Sequence, residues 1–432
     1  MSDRRKQRVK YLLRLELGIG IALLLVIGFI VVKVVNANKY KAKKETTTAE
    51  HLDITEEADV SETTTEDLTE EPAKGDDRGP YATKTYTRHN FQRTDETVIL
   101  PAANVLTPEE IAEKMKEAEE NDEQFVLDYS IELTPFADAA DPPTADDKFE
   151  RTHLLESTYM ILVDLDNDTV VAERDADKVI YPASMTKILT VLTASDYVKN
   201  LDDTFVINQD ILDYVYIHKC SAVGWKLGDT VTVRDLFQGT MICSGADAAL
   251  GLATYVAGSP EAFVDLMNDK AKEIGLSENA HFTNPVGIYD ENLHCTVKDI
   301  AILLSVAIQN DICMEAMSTW TDIVATNTDA EYMENFNRTF EEVYDTASED
   351  GVNTELDYGI EINNWFLRRI KDYSTNGRVK CAKTGFVTES GNCCASYLMA
   401  KGGKHYICVT ANGATSWRVV FDHVGVYKAY TK

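Results

Sequence analysis

Apolar residues are spread so unevenly along this chain that the region able to form a core is marked out before any motif is read. The stretch "ETTTAEHLDITEEADVSETTTEDLTEEPAKGDDRGP", Glu45 to Pro80, has almost no aromatic residues and no hydrophobic period. Such a segment cannot bury enough surface to offset the entropy of ordering it, and it reads as a solvated stalk, with an interaction tail as the sharper alternative. The texture changes at "STYMILVDLDNDTVVAERDADKVI", Ser157 to Ile180, where two apolar runs flank Asp166-Asn167-Asp168, a hairpin signal. Across all 432 residues, 44% are hydrophobic and 26% charged, the balance of a globular protein with one large or two ordinary domains.

The formal net charge is −30, and about two-thirds of it falls between residues 51 and 150. Phosphate binding needs clustered Lys and Arg, so nucleic acid is excluded as a partner. The N-terminus has the opposite character. Arg4, Arg5, Lys6, Arg8, Lys10 and Arg14 precede the uncharged run "LGIGIALLLVIGFIVV", Leu17 to Val32. Val34 and Val35 extend this run to spanning length if Lys33 snorkels, and the flanking bases set the N-terminus inside. A cleaved signal peptide cut near Val35–Ala37 is the competing reading; Lys33, which separates the run from that cut, favours an uncleaved anchor.

The expected organisation is therefore a basic cytoplasmic tail over 1–16, a transmembrane signal anchor over 17–35 and an acidic, largely disordered stalk over 36–150. "TPEEIAEKMKEAEE" gives that stalk a helix near 107–120. A folded domain takes up 151–432 and would sit outside the cell membrane.

Within that domain, Ser259-Pro260-Glu261 opens one helix, and Thr296 with Asp299 caps another. "VKCAKTGFVTESGNCCASYLMAKGGKHYICVTANGA" alternates strands with a Gly-Gly turn, and "SWRVVFDHVGVYKAYT" closes as a helix. A strand pair, a helical middle, then more strands and a helix predict an α+β (mixed α/β) fold, an antiparallel sheet flanked by helices with an all-helical subdomain. The acidic stretch over about 315–362 reads as an enlarged surface loop.

All eight cysteines lie in the second half with no CxxC pair, so they are disulfide partners outside the cell or small buried apolar residues. His218, His281, His294, His405 and His423 form no HExxH or paired spacing. No metal site and no cofactor are indicated. Tyr214 and Tyr216 read as packing, and Trp225 as a core or rim residue that could alternatively line a groove.

The chemistry lies in "YPASMTKILTVLTA". Ser184 and Lys187 stand three apart at a helix start, so the amine reaches the hydroxyl. Burial that lowers the affinity of Lys187 for its proton would make it the base for a serine nucleophile. One S-x-x-K match is weak by itself. Two further elements come in order: "MICSGADAALGLA" puts Ser244 on a turn before an Ala-rich helix, and "CAKTGF" puts Lys383, Thr384 and Gly385 at the start of a strand. Gly385 lets a substrate backbone lie close, and Lys383 with Thr384 could bind a carboxylate.

With these motifs and the blocks "VIYPASMTKILT", "VTVRDLFQGTMICSGADAALGLA" and "AKEIGLSENAHFTNPVGIYDENLHCTVKDIAIL", the chain resembles the serine-type D-alanyl-D-alanine carboxypeptidases. These are low-molecular-weight penicillin-binding proteins, peptidase family S11, with a β-lactamase/transpeptidase-like fold. The resemblance implies that Ser184 attacks the bond between two D-alanines of a peptidoglycan stem peptide and that Lys187 takes its proton. It implies that Ser244 relays a proton to the leaving amine, Lys383 and Thr384 hold the terminal carboxylate, and the N–H groups of Ser184 and Phe386 form the oxyanion hole. β-Lactam antibiotics would acylate Ser184. One position departs from the pattern: the middle motif usually ends in asparagine, and Ala246 stands there. That departure sustains one rival, a pseudoenzyme that binds peptidoglycan with little turnover; a β-lactamase, which would need a glutamate base to activate a deacylating water, is the less supported rival among enzymes.

Overall fold

The computed structural model describes residues 78–83, 85–103, 113–114, 116–118, 120–121, 130–133, 152–329, 354–356 and 359–431. The expected spanning helix over 17–35 and all but residues 78–80 of the Thr/Glu-rich tract lie outside them. The described residues between 113 and 120 are helical, inside the helix expected over 107–120.

The strands that build the sheets around the site are β1 (Val98–Ile99), β2 (Tyr159–Asp164), β3 (Thr169–Arg174), β4 (Thr321–Val324), β5 (Thr354–Leu356), β6 (Gly359–Asn363), β7 (Gly377–Val387), β8 (Gly391–Ala400) and β9 (His405–Gly413). Six of them form the main sheet in the order β1-β3-β2-β9-β8-β7. It is antiparallel except for β1, which runs parallel to β3. The hairpin expected at Asp166–Asp168 joins β2 to β3, and the Gly402-Gly403 turn joins β8 to β9.

The helices are α1 (Thr186–Tyr197), α2 (Gln209–His218), α3 (Val233–Ile242), α4 (Ala246–Ala257), α5 (Pro260–Glu273), α6 (Val297–Ala307), α7 (Asp311–Ser318), α8 (Trp365–Ile370) and α9 (Ser416–Tyr430). Side-chain caps start most of them, α1 and α4 excepted. Ser259 accepts the N–H of Ala262 to start α5, and Thr296 with Asp299 forms a complete capping box for α6. The helices α1 to α7 form the mainly helical part inserted between β3 and β4; expected to be all-helical, it also holds two short antiparallel pairs, Val179–Ile180 with Cys295–Thr296 and Thr204–Val206 with Thr230–Thr232.

Two apolar cores face opposite sides of the sheet, and β2 shows why. Ile161 and Val163 point into the core shared with α1, α3 and α6, while Met160 and Leu162 point into the one under α8 and α9. Side chains alternate across a strand, so one run of apolar residues serves both cores. Truncating Leu162 to Ala would cost about 2–5 kcal/mol.

The fold also takes in chain ahead of residue 151. The backbone from Arg78 to Tyr86 crosses the helices: Asn310 donates to the carbonyl of Tyr81 at 2.7 Å and to the hydroxyl of Thr83 at 2.8 Å, and Arg78 reaches Glu273 at 3.2 Å. A Cβ on Gly79 would lie 2.0 Å from the carbonyl oxygen of Val198, so only glycine allows this approach. The acidic stretch over about 315–362, expected as a surface loop, contains strands instead: β4, β5 and β6 form a three-stranded sheet in the order β4-β6-β5. Tyr216 departs from its packing expectation, being 84% exposed on α2, whereas Tyr214 packs at the edge of a small core.

Candidate active site

A 3₁₀ turn over Ala183–Met185 leads directly into α1, and Ser184 is its middle residue. Lys187, three positions on, stands on the same face, and its Nζ lies 3.0 Å from Ser184 Oγ. The backbone just before the serine is strained, since Ala183 has φ +48°, a region sparsely populated by residues with a Cβ. Two glycines make room for the turn. A Cβ on Gly287, itself at φ +80°, would sit 1.9 Å from the carbonyl oxygen of Ala183. A Cβ on Gly385 would sit 2.9 Å from the amide nitrogen of Ser184.

Lys187 is buried, and its partners are a hydroxyl and a carbonyl rather than a carboxylate: the second bond goes to the oxygen of Val286 at 2.7 Å. Burial disfavours the charged amine and pushes it down to about 8, against weaker opposing effects of Cys220, Cys243 and Asp247. The carbonyl of Val286 is held in place by Asn284, whose Oδ1 accepts the N–H groups of Val286, Gly287 and Ile288 at 3.3, 2.7 and 3.2 Å. Asp247 is tied up locally, accepting from the N–H groups of Val223 at 2.9 Å, Gly224 at 3.1 Å and Ala248 at 3.0 Å.

The second pair comes from distant sequence. Ser244 ends the turn before α4 with φ +63°, and Lys383 of β7 donates to its Oγ at 2.9 Å and to the carbonyl of Thr384 at 2.7 Å. Burial, then the neighbouring Lys187 charge, holds the Lys383 amine well below its usual value. Lys383, Thr384, Gly385 and Phe386 lie in the second half of an eleven-residue strand, not at its start as expected from the sequence. Phe386 is largely exposed.

Ala246, at the position of the usual asparagine, is fully buried against Ile211, Ala249, Leu250 and Val286. Its N–H donates to the carbonyl of Ser221 at 2.8 Å, which pins the 221–225 loop to the start of α4.

Ser184, Lys187, Ser244, Thr384, Gly385 and Phe386 line one cleft of about 490 Å³, with Lys383 bonded to its Ser244 wall. All seven residues singled out from the sequence therefore converge. Sequence reasoning missed Ala183, Asn284, Gly287 and Asn364. The motif "TNPVGI" held a signal for two of them, an Asn with Gly three residues later, a turn signature. Trp225 is core, its indole nitrogen donating to the carbonyl of Ala325 at 3.0 Å. The eight cysteines are free thiols; six are buried, and half-buried Cys220 and Cys243 line the cleft. Among the described residues no cluster of His, Cys, Asp and Glu could hold a metal ion.

Comparison with known proteins places this arrangement. Residues 146–355 match the family model described as D-alanyl-D-alanine carboxypeptidase, peptidase S11. The segment carrying Ser184, Lys187 and Ser244 thus matches the family that the motifs point to. The match stops ahead of Lys383, which the sheet returns to the site. Similar curated proteins include the D-alanyl-D-alanine carboxypeptidase DacF of Bacillus subtilis, 31% identical over 41% of this chain and 45% of its own length. Another is DacC of Escherichia coli, 37% identical over 34% of this chain and 38% of its own length. The chain spans less than half the length of these relatives. Among solved structures, the Streptomyces K15 DD-transpeptidase superposes with a TM-score of 0.51 at 23% identity, covering 63% of this chain and 97% of that one, which establishes the fold.

Proposed function

We propose that this chain is a serine D-alanyl-D-alanine carboxypeptidase that removes the terminal D-alanine from peptidoglycan stem peptides through an ester on Ser184. The observation that carries the reading is the 3.0 Å contact between Ser184 Oγ and an amine that burial brings to about 8. At pH 7 a lysine at 10.5 is neutral in roughly 0.03% of molecules, and one at 8 in roughly 9%, a gain of about 300-fold in competent base.

The steps follow from the geometry. Ser184 Oγ attacks the carbonyl carbon of the penultimate D-alanine while its proton passes to Lys187 Nζ. The developing oxyanion faces the amide of Ser184, beside which Gly385 leaves space, and the N–H of Phe386. The C–N bond breaks as Ser244, hydrogen-bonded to Lys383, delivers a proton to the leaving amine. Water then opens the ester, with Lys187 again the proton acceptor. Because Lys383 Nζ is turned toward Ser244, its part is to tune that relay, and the hydroxyl of Thr384 is the closer match for the carboxylate.

Ala246 favours a second reading, acylation with little release, because no carboxamide stands beside the substrate. Two measurements on the soluble domain decide. Fluorescent penicillin should label wild type and not Ser184→Ala, and a pentapeptide ending in D-Ala-D-Ala should lose D-alanine catalytically. Labelling without release would select the second reading; folded protein that is never labelled would end both.

We also propose that residues 17–35 anchor the chain with this domain outside the membrane. Among the described residues no single helix is long and apolar enough to cross one. Full-length protein should sediment with membranes and resist high salt, and a chain lacking 1–35 should be released.

A further inference from the structure

Asn364, a buried residue, presents a side-chain amide nitrogen with no partner among the described residues. The residue caps α8, its Oδ1 accepting the N–H of Leu367 at 3.0 Å, and only 4% of it is exposed. Its Nδ2 donates to nothing among the described residues, yet it is not one of the sealed, unsatisfied polar atoms of the core. It opens into the catalytic cleft, which Asn364 lines. The neighbouring Asn363 shows the contrast: its Nδ2 donates to Glu361 at 2.9 Å, and its Oδ1 takes Thr321 Oγ1 at 2.8 Å and the Arg368 guanidinium.

The surroundings say what this donor meets. The short helix α8 packs against both β7 and α9, so Asn364 shares the cleft with Thr384 of β7 and Ser416, the first residue of α9. Two cations near that helix start are committed elsewhere: Arg418 is paired with Glu156 and 4.0 Å from Asp422, and the Arg369 guanidinium stacks 4.3 Å from the Trp365 ring and 5.5 Å from that of Trp417. The donors at this wall are therefore neutral: an amide, two hydroxyls and the positive end of α9. An amide whose oxygen is already used can only donate, so its ligand is an acceptor oxygen.

We propose that Asn364 is a substrate-binding residue whose Nδ2, with Thr384 and Ser416, receives the terminal carboxylate of the leaving residue. This rests on the function proposed above. A hydrogen bond to a carboxylate is stronger than one to a neutral carbonyl, so losing this donor penalises an acid more than its ester.

The test uses the soluble domain with a thioester acyl donor ending in a free carboxylate and with the methyl ester of the same compound. Asn364→Ser keeps a side-chain cap for Leu367 and removes the amide. The expected result is a fall of about 10- to 30-fold in kcat/KM on the acid and at most about threefold on the ester. Asn364→Asp also keeps the cap and sets a like charge against the carboxylate, so the acid should suffer further and the ester should not. Thermal unfolding confirms that both variants fold. Equal losses on acid and ester, or no loss on either, would overturn this assignment while leaving the function intact. A wild-type domain that neither donor nor penicillin acylates would overturn the function and the assignment with it.

Discussion

Two of the serine–base contacts among the described residues, one in the cleft and one behind the sheet, have similar geometry, and one of them can do no chemistry. In the cleft, Ser184 Oγ meets Lys187 Nζ at 3.0 Å. Between the sheet and α9, Ser396 Oγ meets His423 Nδ1 at 2.7 Å, with Thr410 Oγ1 3.1 Å from Nε2 and Tyr427 hydroxyl 2.7 Å from Ser396 Oγ. The shorter contact is the inert one. Ser396, Thr410, His423 and Tyr427 are completely sealed, and burial pushes the imidazole down to about 3, too weak a base to accept a serine proton. At Ser184 the hydroxyl faces a cleft, the strained turn at Ala183 presents it, and a second lysine–serine pair stands opposite. Contact between nucleophile and base is thus common structural material; access and the surrounding donors make it reactive.

The largest separation between the two pairs should come from disabling each in turn. Lys187→Ala should slow acylation by fluorescent penicillin by about 10³-fold or more, in the upper range for loss of a general base. Ser396→Ala should leave labelling within a factor of about two. Equal labelling of Lys187→Ala and wild type would mean that the amine is not the base.

The pH dependence sharpens the same contrast, next in size. Acylation needs neutral Lys187, so its rate should climb about tenfold per pH unit up to about 8 and level above it. His423 acts on stability instead. Its folded-state value is depressed, so its contribution is fully present above about 6.5, the value of an unfolded imidazole, and is lost as pH falls toward 3. Within that window the slope approaches about 1.4 kcal/mol per unit. In the His423→Leu variant this slope should vanish. The substitution should also cost about 2–4 kcal/mol at neutral pH by removing the imidazole partner of the Thr410 hydroxyl and one of the two partners of the Ser396 hydroxyl. Urea unfolding at several pH values reads both effects, and penicillin labelling of the folded variant should be unchanged.

Much of this was legible in the residues, and the limits have physical causes. Helix starts at Ser259 and Thr296 and the hairpin at Asp166–Asp168 are local, set by caps and turns that a short window contains. The three motifs were visible because each needs a particular residue type. What joins them is not local: Lys383 reaches Ser244 across 139 positions, and only the sheet order brings β7 to the turn at Ser184. Asn284 and Gly287 do their work by backbone geometry, which spacing alone does not reveal. The strands within the 315–362 stretch were hidden by its acidic composition, although the alternating "YGIEINN" overlaps its end.

Ala246 gives the smallest expected effect, for a reason the site supplies. An asparagine amide there would offer an acceptor to the lysine and a donor to the substrate. The acceptor role is already filled, since the carbonyl of Val286, fixed by Asn284, takes the Lys187 proton at 2.7 Å. Ala246→Asn therefore restores one donor, about 1 kcal/mol or roughly fivefold in D-alanine release. The added atoms enter a fully buried site beside Ile211 and Val286, so stability should fall by about 1–3 kcal/mol. A gain of a hundredfold would show that the Val286 carbonyl does not substitute for the amide. Pairing the change with Asn284→Ala, which frees that carbonyl to move, should then enlarge the benefit of the new side chain, and a benefit of the same size in both backgrounds would break the link between Asn284 and Lys187.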